Sequence, residues 1–293
     1  MAALDKSIFQ LVRLALDEDI GPGDVTSLAC LEPEMITARI VAKSVGVVSG
    51  ILPARLAFEL VDSANQFVPC LQDGSRFEPG DVLVTIEGLN RTVLTAERVA
   101  LNFMAHLSGV ATLTRRFVDK IEGYNCQILD TRKTMPGWRI LEKQAVLHGG
   151  GHNHRYGLYD MILIKDNHIA AAGSIRAAVE QARSYLHSAD FSRQFHTDPD
   201  TIEIEVEVVN EAQLREAVDT GIKRLLLDNQ TPESLEVLVD VSREIDSAVK
   251  LEASGNVSLD NVAAIAATGV DYISIGALTH SAPVCDLSLK VVE

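Results

Sequence analysis

Cysteine is scarce in this sequence, and long apolar runs are missing. Only four of the 293 residues are cysteines, Cys30, Cys70, Cys126 and Cys285, and no two of them have the CxxC spacing. A disulfide framework or a zinc site is therefore not expected, and a reducing cytoplasm is the simplest location. No stretch approaches the roughly 18 apolar residues that a membrane span needs, and no N-terminal run resembles a signal peptide.

Basic residues are also in the minority. The chain has 26 Lys and Arg against 41 Asp and Glu, which gives a formal net charge of −15 and a sequence pI of about 4.9. This balance argues against nucleic acid or an anionic membrane as a general partner. The hydrophobic content of 47% with 23% charged residues is ordinary for a globular enzyme and excludes a mainly disordered chain.

The few basic residues are concentrated between positions 130 and 168. This stretch holds six of the Lys and Arg residues and four of the eight His residues, against four acids. Arg132 and Lys133 follow the apolar run 126–129, and Lys165 follows the apolar run 161–164. Cations at the ends of buried strands are costly unless they bind something. We therefore expect a cationic pocket for a small, multiply anionic ligand.

The first part of the chain, residues 1–112, is typical of a small α+β unit with an antiparallel sheet. Helical spacing and β-branched runs predict helices and strands in turn. The predicted helices cover 6–18, 53–61 and 94–121, and the predicted strands lie within 37–48 and 80–86.

Beyond residue 112, strands and helices alternate, which favours a parallel α/β architecture. The strand candidates are 127–130, 161–165, 202–208, 224–228, 249–252 and 272–275, and the helix candidates are 211–219, 232–245 and 259–267. Polar residues stand at the C-terminal ends of these strands, where (β/α) barrels build their sites. The predicted fold class is α/β: an incomplete (β/α) barrel domain at 113–283 plus an N-terminal α+β sandwich domain at 1–112, which a C-terminal strand at 284–293 joins.

Acidic residues on the predicted strands suggest a sugar or metal site. Glu203, Glu205 and Glu207 alternate with apolar residues, which places all three on one face of their strand. Glu207 lies nearest the C-terminal end, and Asp228 ends the next strand. Two carboxylates there could bind vicinal hydroxyls of a sugar or hold Mg²⁺ through waters.

Glycine turns after the last two strands indicate a phosphate site. The segments Ser254–Gly255–Asn256 and Gly276–Ala277 follow these strands, and His280 lies just beyond the second. Barrels frequently bind phosphate in the loops at this position.

The basic stretch allows two further interpretations, a lysine nucleophile and a histidine metal site. Lys133 or Lys165 could form a Schiff base, and the sequence does not decide against an amine nucleophile. His148, His152 and His154 lack an acid at ligand spacing, so a metal site is not expected at this trio.

At these residues the chain resembles one family, the quinolinate phosphoribosyltransferases. The resemblance covers EDIGPGDVTS (18–27), AERVALNFMAHLSGVAT (96–112), DTRKTMPGWR (130–139), GGGHNHRYGLYDMILIKDNHI (149–169), LLLDN (225–229), EASGNV (252–257) and GVDYISIGALTHSAP (269–283). It implies a pentosyltransferase that makes nicotinate mononucleotide, pyrophosphate and CO₂ from quinolinate and phosphoribosyl pyrophosphate (PRPP), for de novo NAD synthesis.

The resemblance also implies roles for individual residues. The catalytic residues would be Lys133, Lys165, Glu207 and Asp228. Quinolinate would be bound by Arg132, His154, Arg155 and Lys165, with Arg98 from the partner of a homodimer or of a higher assembly of dimers. PRPP would be bound by Lys133, Glu207, Asp228, Glu252, Ser254, Gly255, Asn256, Gly276 and His280. Mg²⁺ is the implied cofactor, held by Glu207 and Asp228 through water.

Three other functions compete with this expectation. A paralogue of the same fold would act on another acceptor, although Arg132 and Arg155 together suit a two-carboxylate ligand. An aldolase-like lyase would use Lys133 or Lys165 as its nucleophile. A ligand-sensing module would bind PRPP or a pyridine acid without releasing pyrophosphate.

Overall fold

The computed structural model describes residues 2–292, with side chains from residue 6 onward. The helices are α1 (Ala2–Ile20), α2 (Val25–Cys30), α3 (Ile51–Val61), α4 (Asn90–Lys120), α5 (Arg139–His148), α6 (Asp166–Ala172), α7 (Ile175–Leu186), α8 (Ala189–Gln194), α9 (Glu211–Asp219), α10 (Pro232–Ile245), α11 (Val262–Ala267) and α12 (Ala277–His280). The strands are β1 (Met35–Ala42), β2 (Gly46–Val47), β3 (Gln66–Pro69), β4 (Arg76–Phe77), β5 (Val82–Leu89), β6 (Gln127–Leu129), β7 (Met161–Ile164), β8 (Glu203–Val208), β9 (Arg224–Asp228), β10 (Lys250–Ser254), β11 (Tyr272–Ser274) and β12 (Leu287–Val292). Within this described range, no helix combines the length and the apolar character that crossing a membrane requires.

A four-stranded antiparallel sheet has the strand order β12-β1-β5-β3. Its central strands β1 and β5 alternate between buried and more exposed side chains over much of their length, as a sheet with one covered face requires. The edge strand β12 comes from the other end of the chain. It pairs with β1 from Thr37 opposite Val292 to Ala42 opposite Leu287.

A six-stranded parallel sheet has the strand order β6-β11-β10-β9-β8-β7. All five pairings between neighbouring strands are parallel. Strands β6 and β7 lie at the two edges, so the ladder between these six strands does not close into a ring. The sequence prediction of a fold with an incomplete (β/α) barrel and a separate antiparallel α+β part is confirmed.

The chain forms two compact units, and each unit consists of segments that are not contiguous in the sequence. The first unit contains the residues up to Arg116, the segment Lys133–Gly151 and the residues from Gly276 onward. The second unit contains Phe117–Arg132 and His152–Ile275, and therefore the whole parallel sheet. The domain division expected from the sequence, 1–112 with 284–293 against 113–283, stays a prediction.

Candidate active site

Four strands of the parallel sheet end in polar residues. Lys165 directly follows β7, Glu207 is the last but one residue of β8, and Asp228 and Ser254 are the last residues of β9 and β10. The register of β9 and β10 places Ser254 beside Asp228. Because parallel strands end at the same edge of a sheet, these side chains belong to one edge of the second unit.

Lys165 and Glu207 form an ion pair at this edge. The distance from Nζ of Lys165 to Oε2 of Glu207 is 2.5 Å. The lysine side chain is 45% exposed and the glutamate side chain only 10%. The backbone N–H of Lys165 donates to Nδ1 of His168 at 3.0 Å, which fixes the start of α6. The pair thus holds an ammonium group on a rigid strand end with one side open to a ligand.

Asn229 joins the loops that follow β9 and β10. Its backbone N–H donates to the carbonyl of Ser254 at 2.8 Å, and its side-chain amide donates to Asp228 at 2.7 Å. Gly255 has a φ of +96°, and a Cβ there would lie 2.1 Å from Oδ1 of Asn229. Asn256 has a φ of +51° and donates to the same oxygen at 3.4 Å. Only glycine fits at position 255. The loop after β10 therefore presents its backbone, and no side chain from position 255, at the carboxyl edge of the parallel sheet. Asn229 lies within the motif LLLDN, but the sequence alone predicts no role for it.

The first unit brings together another set of residues expected to bind PRPP. The hydroxyl of Thr279 donates to the carbonyl of Lys133 at 2.7 Å. A Cβ on Gly276 would lie 2.9 Å from Cδ of Lys133 and 3.2 Å from Nε2 of His280. The absence of a side chain at position 276 therefore lets Lys133 and His280 lie side by side.

A buried carboxylate anchors the loop between Lys133 and α5. Glu142 is fully buried; its Oε1 lies 2.8 Å from Nε2 of His106, and its Oε2 accepts the backbone N–H of Met135 at 3.0 Å. The rings of Trp138 and His106 are in edge-to-face contact, with 5.2 Å between their centroids. These contacts fix the backbone two residues beyond Lys133. Glu142 could not be predicted as a buried anchor, because nothing in its local sequence pattern distinguishes it from a surface glutamate on a helix.

Two arginines lie near each other in the second unit. Burial, followed by the charge of Arg132, lowers the pKa of Arg155 from its ordinary value. Nη1 of Arg155 donates to the carbonyl of Met161 at 3.2 Å, which ties this side chain to the start of β7. Two guanidinium groups that influence each other's charge in this way suit a ligand with more than one carboxylate.

A charged cluster is buried within the parallel sheet. Nε2 of His154 lies 2.9 Å from Oε2 of Glu205 and 3.5 Å from Oε2 of Glu252. Both glutamates are 0% exposed. The guanidinium of Arg224 donates to Glu205 at 3.2 Å and to Glu252 at 2.7 Å, and it lies 4.7 Å from the centre of the Tyr272 ring. Residues from three neighbouring strands therefore meet around one histidine.

The cluster's electrostatics differ from those of ordinary surface carboxylates. Burial, and next the charge of Glu205, raise the pKa of Glu252 to about 7. Burial raises the pKa of Glu205 as well, against the attraction of Arg224. Burial opposes the charge of Arg224, but Glu205 and Glu252 raise its pKa. The resemblance placed Glu252 with the PRPP-binding residues, whereas in the structure Glu252 accepts a hydrogen bond from Arg224.

Arg98 lies on α4 in the first unit, and its side chain is exposed. Burial raises the pKa of the adjacent Glu97, and the charge of Arg98 partly offsets this rise. Among the predicted quinolinate residues, the second unit contains Arg132, His154, Arg155 and Lys165, and Arg98 belongs to the first unit.

The strand-end carboxylates fit the donor set of Mg²⁺. This ion prefers oxygen ligands, keeps several waters and is usually held by one or two carboxylates together with substrate phosphates. Glu207 and Asp228 end neighbouring strands and are neither fully buried nor fully exposed. A hydrated ion could approach both of them.

Together, these features define an α/β protein with charged and polar side chains at the carboxyl edge of a parallel sheet, where enzymes of this class build their sites. The chain matches the family models "Quinolinate phosphoribosyl transferase, N-terminal domain" over residues 24–108 and "C-terminal domain" over residues 110–290. The protein belongs to the quinolinate phosphoribosyltransferase family.

Individual relatives agree with the family models. A probable nicotinate-nucleotide pyrophosphorylase [carboxylating] of Bacillus subtilis is 41% identical over 274 residues, which cover 94% of this chain and 90% of the relative. The chloroplastic nicotinate-nucleotide pyrophosphorylase [carboxylating] of Arabidopsis thaliana is 40% identical over 289 residues, 96% of this chain and 82% of the relative. The solved structure of the nicotinate-nucleotide pyrophosphorylase from Francisella tularensis superimposes with a TM-score of 0.88 at 36% identity, covering 98% and 97% of the two chains.

Proposed function

We propose that this protein transfers the phosphoribosyl group of PRPP to quinolinate and releases pyrophosphate and CO₂, giving nicotinate mononucleotide for NAD synthesis. The relatives described above are named nicotinate-nucleotide pyrophosphorylase [carboxylating], which agrees with this proposal. The observation in this chain that carries the proposal is the ion pair of Lys165 and Glu207 at a strand edge that also bears Asp228. It places a cation for an anionic acceptor beside carboxylates suited to a ribose and its metal.

Charge complementarity supports quinolinate as the acceptor. Quinolinate carries two carboxylates, and Arg132, Arg155 and Lys165 supply cations in the second unit. Guanidinium groups suit carboxylates because they can donate two parallel hydrogen bonds. An acceptor with one carboxylate would leave part of this positive charge uncompensated.

PRPP binding is proposed for the two sets of loop residues and the acidic strand ends. These residues are Lys133, Gly276 and His280 in the first unit and Glu207, Asp228, Ser254, Gly255 and Asn256 in the second unit. Support comes from the close packing around Gly276 and the bare backbone at Gly255, because phosphate oxygens are readily bound by backbone N–H groups and cations.

The transfer needs no covalent bond to the enzyme. The pyridine nitrogen of quinolinate attacks C1′ of the ribose as the bond from C1′ to pyrophosphate breaks. The ribose then passes through an oxocarbenium-like state. The bond between C2 of the pyridinium and its carboxylate breaks next, and its electron pair goes to the ring before a proton replaces CO₂ at C2. We assign Lys133 and Lys165 to stabilise the negative charge that develops on the leaving group and on the carboxylates.

We also propose Mg²⁺ as the cofactor, held by Glu207 and Asp228 through water. When bound, it would neutralise charge on the pyrophosphate. Glu207 and Asp228 would in addition orient the ribose hydroxyls. A cytoplasmic location is proposed from the cysteine usage, and it is supported by all four cysteines being free thiols.

The competing functions are less well supported. An aldolase-like lyase needs an uncharged lysine amine, but Lys165 makes its contact to Glu207 as an ammonium group. A sensing module or a paralogue for another acceptor would bind PRPP without forming CO₂. Purified protein with Mg²⁺, PRPP and quinolinate labelled in the 2-carboxylate should release labelled CO₂ and pyrophosphate in equal amounts. Pyrophosphate release without CO₂ would support the paralogue instead.

We further propose a homodimer in which Arg98 enters the active site of the partner subunit. Support comes from the exposure of this cation on α4. Mixtures of the inactive variants Arg98→Ala and Lys165→Ala, reassembled after partial unfolding, should regain activity. One of the two sites in each mixed dimer would combine a native Arg98 with a native Lys165, so half of the mixed dimer's sites would work.

The control for this complementation is each variant unfolded and refolded alone, which should stay inactive. No recovery in a mixture whose mixed dimers are demonstrated by mass would contradict the sharing of Arg98.

A further inference from the structure

Lys133 follows a confined path in the first unit. A Cβ on Gly276 would lie 2.9 Å from Cδ of Lys133, so the aliphatic stem of the lysine passes directly over the backbone of this glycine. The carbonyl of Lys133 accepts a hydrogen bond from the hydroxyl of Thr279 at 2.7 Å. Residues 133–135, here called the lysine loop, belong to no helix or strand. The position of the Lys133 ammonium group therefore depends on what fixes the backbone of this loop.

Side chains of helix α5 hold the two residues after Lys133. Nε of Arg139, the first residue of α5, donates to Oγ1 of Thr134 at 3.0 Å. Oε2 of Glu142, later in the same helix, accepts the backbone N–H of Met135 at 3.0 Å. Each residue of the lysine loop is therefore attached to a different side chain of the first unit.

Glu142 is itself held by helix α4. Its Oε1 lies 2.8 Å from Nε2 of His106, and the side chains of Glu142 and His106 are 0% and 16% exposed. The carboxylate accepts this hydrogen bond, so the imidazole donates it through Nε2. Trp138 contacts the edge of the His106 ring and stacks on Phe103, also of α4, with 4.6 Å between the two ring centroids. Helix α4 thus fixes Glu142, and Glu142 fixes the lysine loop.

Stability of the fold does not by itself explain a carboxylate at position 142. Moving a carboxylate out of water costs free energy, and apolar residues of similar volume often replace buried charged groups without loss of stability. An apolar side chain could fill the space between α4 and α5, but it would leave the backbone N–H of Met135 without this acceptor. The carboxylate does what an apolar side chain cannot do, because its two oxygens join α4 to the lysine loop by hydrogen bonds.

We propose that Glu142 and His106 are positioning residues for Lys133, and that they set the affinity of the protein for PRPP by fixing the lysine loop. Their effect passes through the backbone of this loop to the Lys133 ammonium group. The inference rests on the proposed role of Lys133 in binding PRPP. The family resemblance implied no role for either Glu142 or His106. Because the pair acts on Lys133, its loss should weaken the binding of PRPP and leave the binding of quinolinate unchanged.

Calorimetric titrations test the proposal without turnover. Native protein, Glu142→Ala and Glu142→Gln are titrated with PRPP and Mg²⁺ in one series and with quinolinate alone in another. In Glu142→Ala, Kd for PRPP should rise about tenfold or more while Kd for quinolinate stays nearly constant, since small misplacements of a binding group have effects of this order. Glu142→Gln should stay close to native, because its amide oxygen can accept the N–H of Met135 while its amide nitrogen donates to the other imidazole tautomer.

A double-mutant cycle shows whether the effect passes through Lys133. In a Lys133→Ala background, adding Glu142→Ala should change Kd for PRPP by less than about twofold, because the positioned group is already gone. An equal loss of affinity in both backgrounds would overturn the proposal, and so would equal weakening of PRPP and quinolinate in Glu142→Ala. If Glu142→Ala does not fold, His106→Ala applies the same test, since it removes the donor to Oε1. A rise in Kd specific to PRPP is expected there too, and its absence would overturn the proposal.

Asp73→Ala is the matched control. Asp73 also belongs to the first unit, and its Oδ1 accepts the backbone N–H of Ile51 at 3.3 Å, which anchors the start of α3 and not the lysine loop. Its Kd values for PRPP and quinolinate should match those of the native protein. The native titration separates this proposal from the proposed function. Native protein that binds no PRPP would contradict the proposed function, whereas equal PRPP affinity in native protein and Glu142→Ala would contradict the positioning role alone.

Discussion

Replacing Lys165 with alanine should lower kcat by about 10²- to 10³-fold, the range measured when one stabilising charge is removed from a reacting centre. Lys165 extends from the end of β7 and pairs with Glu207 at 2.5 Å. Its loss removes a fixed positive charge where negative charge develops, and it leaves Glu207 without its partner. The side chain is half exposed, so the fold should persist. Steady-state kinetics and a thermal unfolding curve measure both consequences.

Lys250→Ala is the matched control for this prediction. Lys250 also forms an ion pair in the parallel sheet, with Asp271 at 2.8 Å, and its side chain is 52% exposed. It stands at the start of β10, so it lies at the opposite edge from the strand ends. Its removal should leave kcat near the native value. A Lys165→Ala enzyme with nearly native kcat would show that Lys165 is not a catalytic residue.

Replacing Arg155 with alanine should raise KM for quinolinate by about 100-fold, because a charge-assisted pair of hydrogen bonds to a carboxylate contributes roughly 3 kcal/mol. The guanidinium is held by the carbonyl of Met161 and lies near Arg132. Arg155→Lys keeps the charge but not the planar pair of donors, so it should recover only part of the affinity. Initial rates at saturating PRPP and varied quinolinate measure the effect.

The control for Arg155 is Arg176→Ala, which removes a guanidinium paired with Asp219 on the exposed face of α7. It should leave both KM values unchanged. If Arg155→Ala raised KM for PRPP and left KM for quinolinate unchanged, the assignment of Arg155 to the acceptor would be wrong.

The six parallel strands of the second unit and its helices α9, α10 and α11 could be predicted from the sequence, whereas helices α6, α7 and α8 were not predicted. Strand β9 and helices α9 and α10 have the predicted bounds, 224–228, 211–219 and 232–245. Their apolar runs and helical spacing are regular and are interrupted by clear turn residues. The period-two pattern also predicted that Glu203, Glu205 and Glu207 lie on the same face of β8, because side chains alternate between the two faces along any strand.

Elements inside the basic stretch could not be predicted in the same way. Helix α5 lies between residues 130 and 168, where the sequence prediction contains no helix because many charged residues obscure the apolar period. Its residue Lys143 is fully buried, against the usual preference of lysine for the surface. Burial of this kind depends on tertiary packing, which local pattern does not contain.

The cluster of charged residues around His154 could not be predicted from the sequence either. Arg224 entered the sequence analysis only as the first residue of a strand, and Glu205 only as one of three acids on a face. Their meeting with Glu252 depends on the order of β8, β9 and β10 and on their register. The family resemblance named single residues within motifs, but it did not contain the hydrogen bonds that join them.

We propose that this protein transfers a phosphoribosyl group to an acceptor with two carboxylates. The most direct test incubates purified protein with PRPP and Mg²⁺ together with either quinolinate or nicotinic acid, and follows nicotinate mononucleotide. We predict product from quinolinate with release of CO₂, and no product from nicotinic acid. Product from nicotinic acid alone would contradict the two-carboxylate site, and folded protein without activity on either acceptor would contradict the assigned reaction itself.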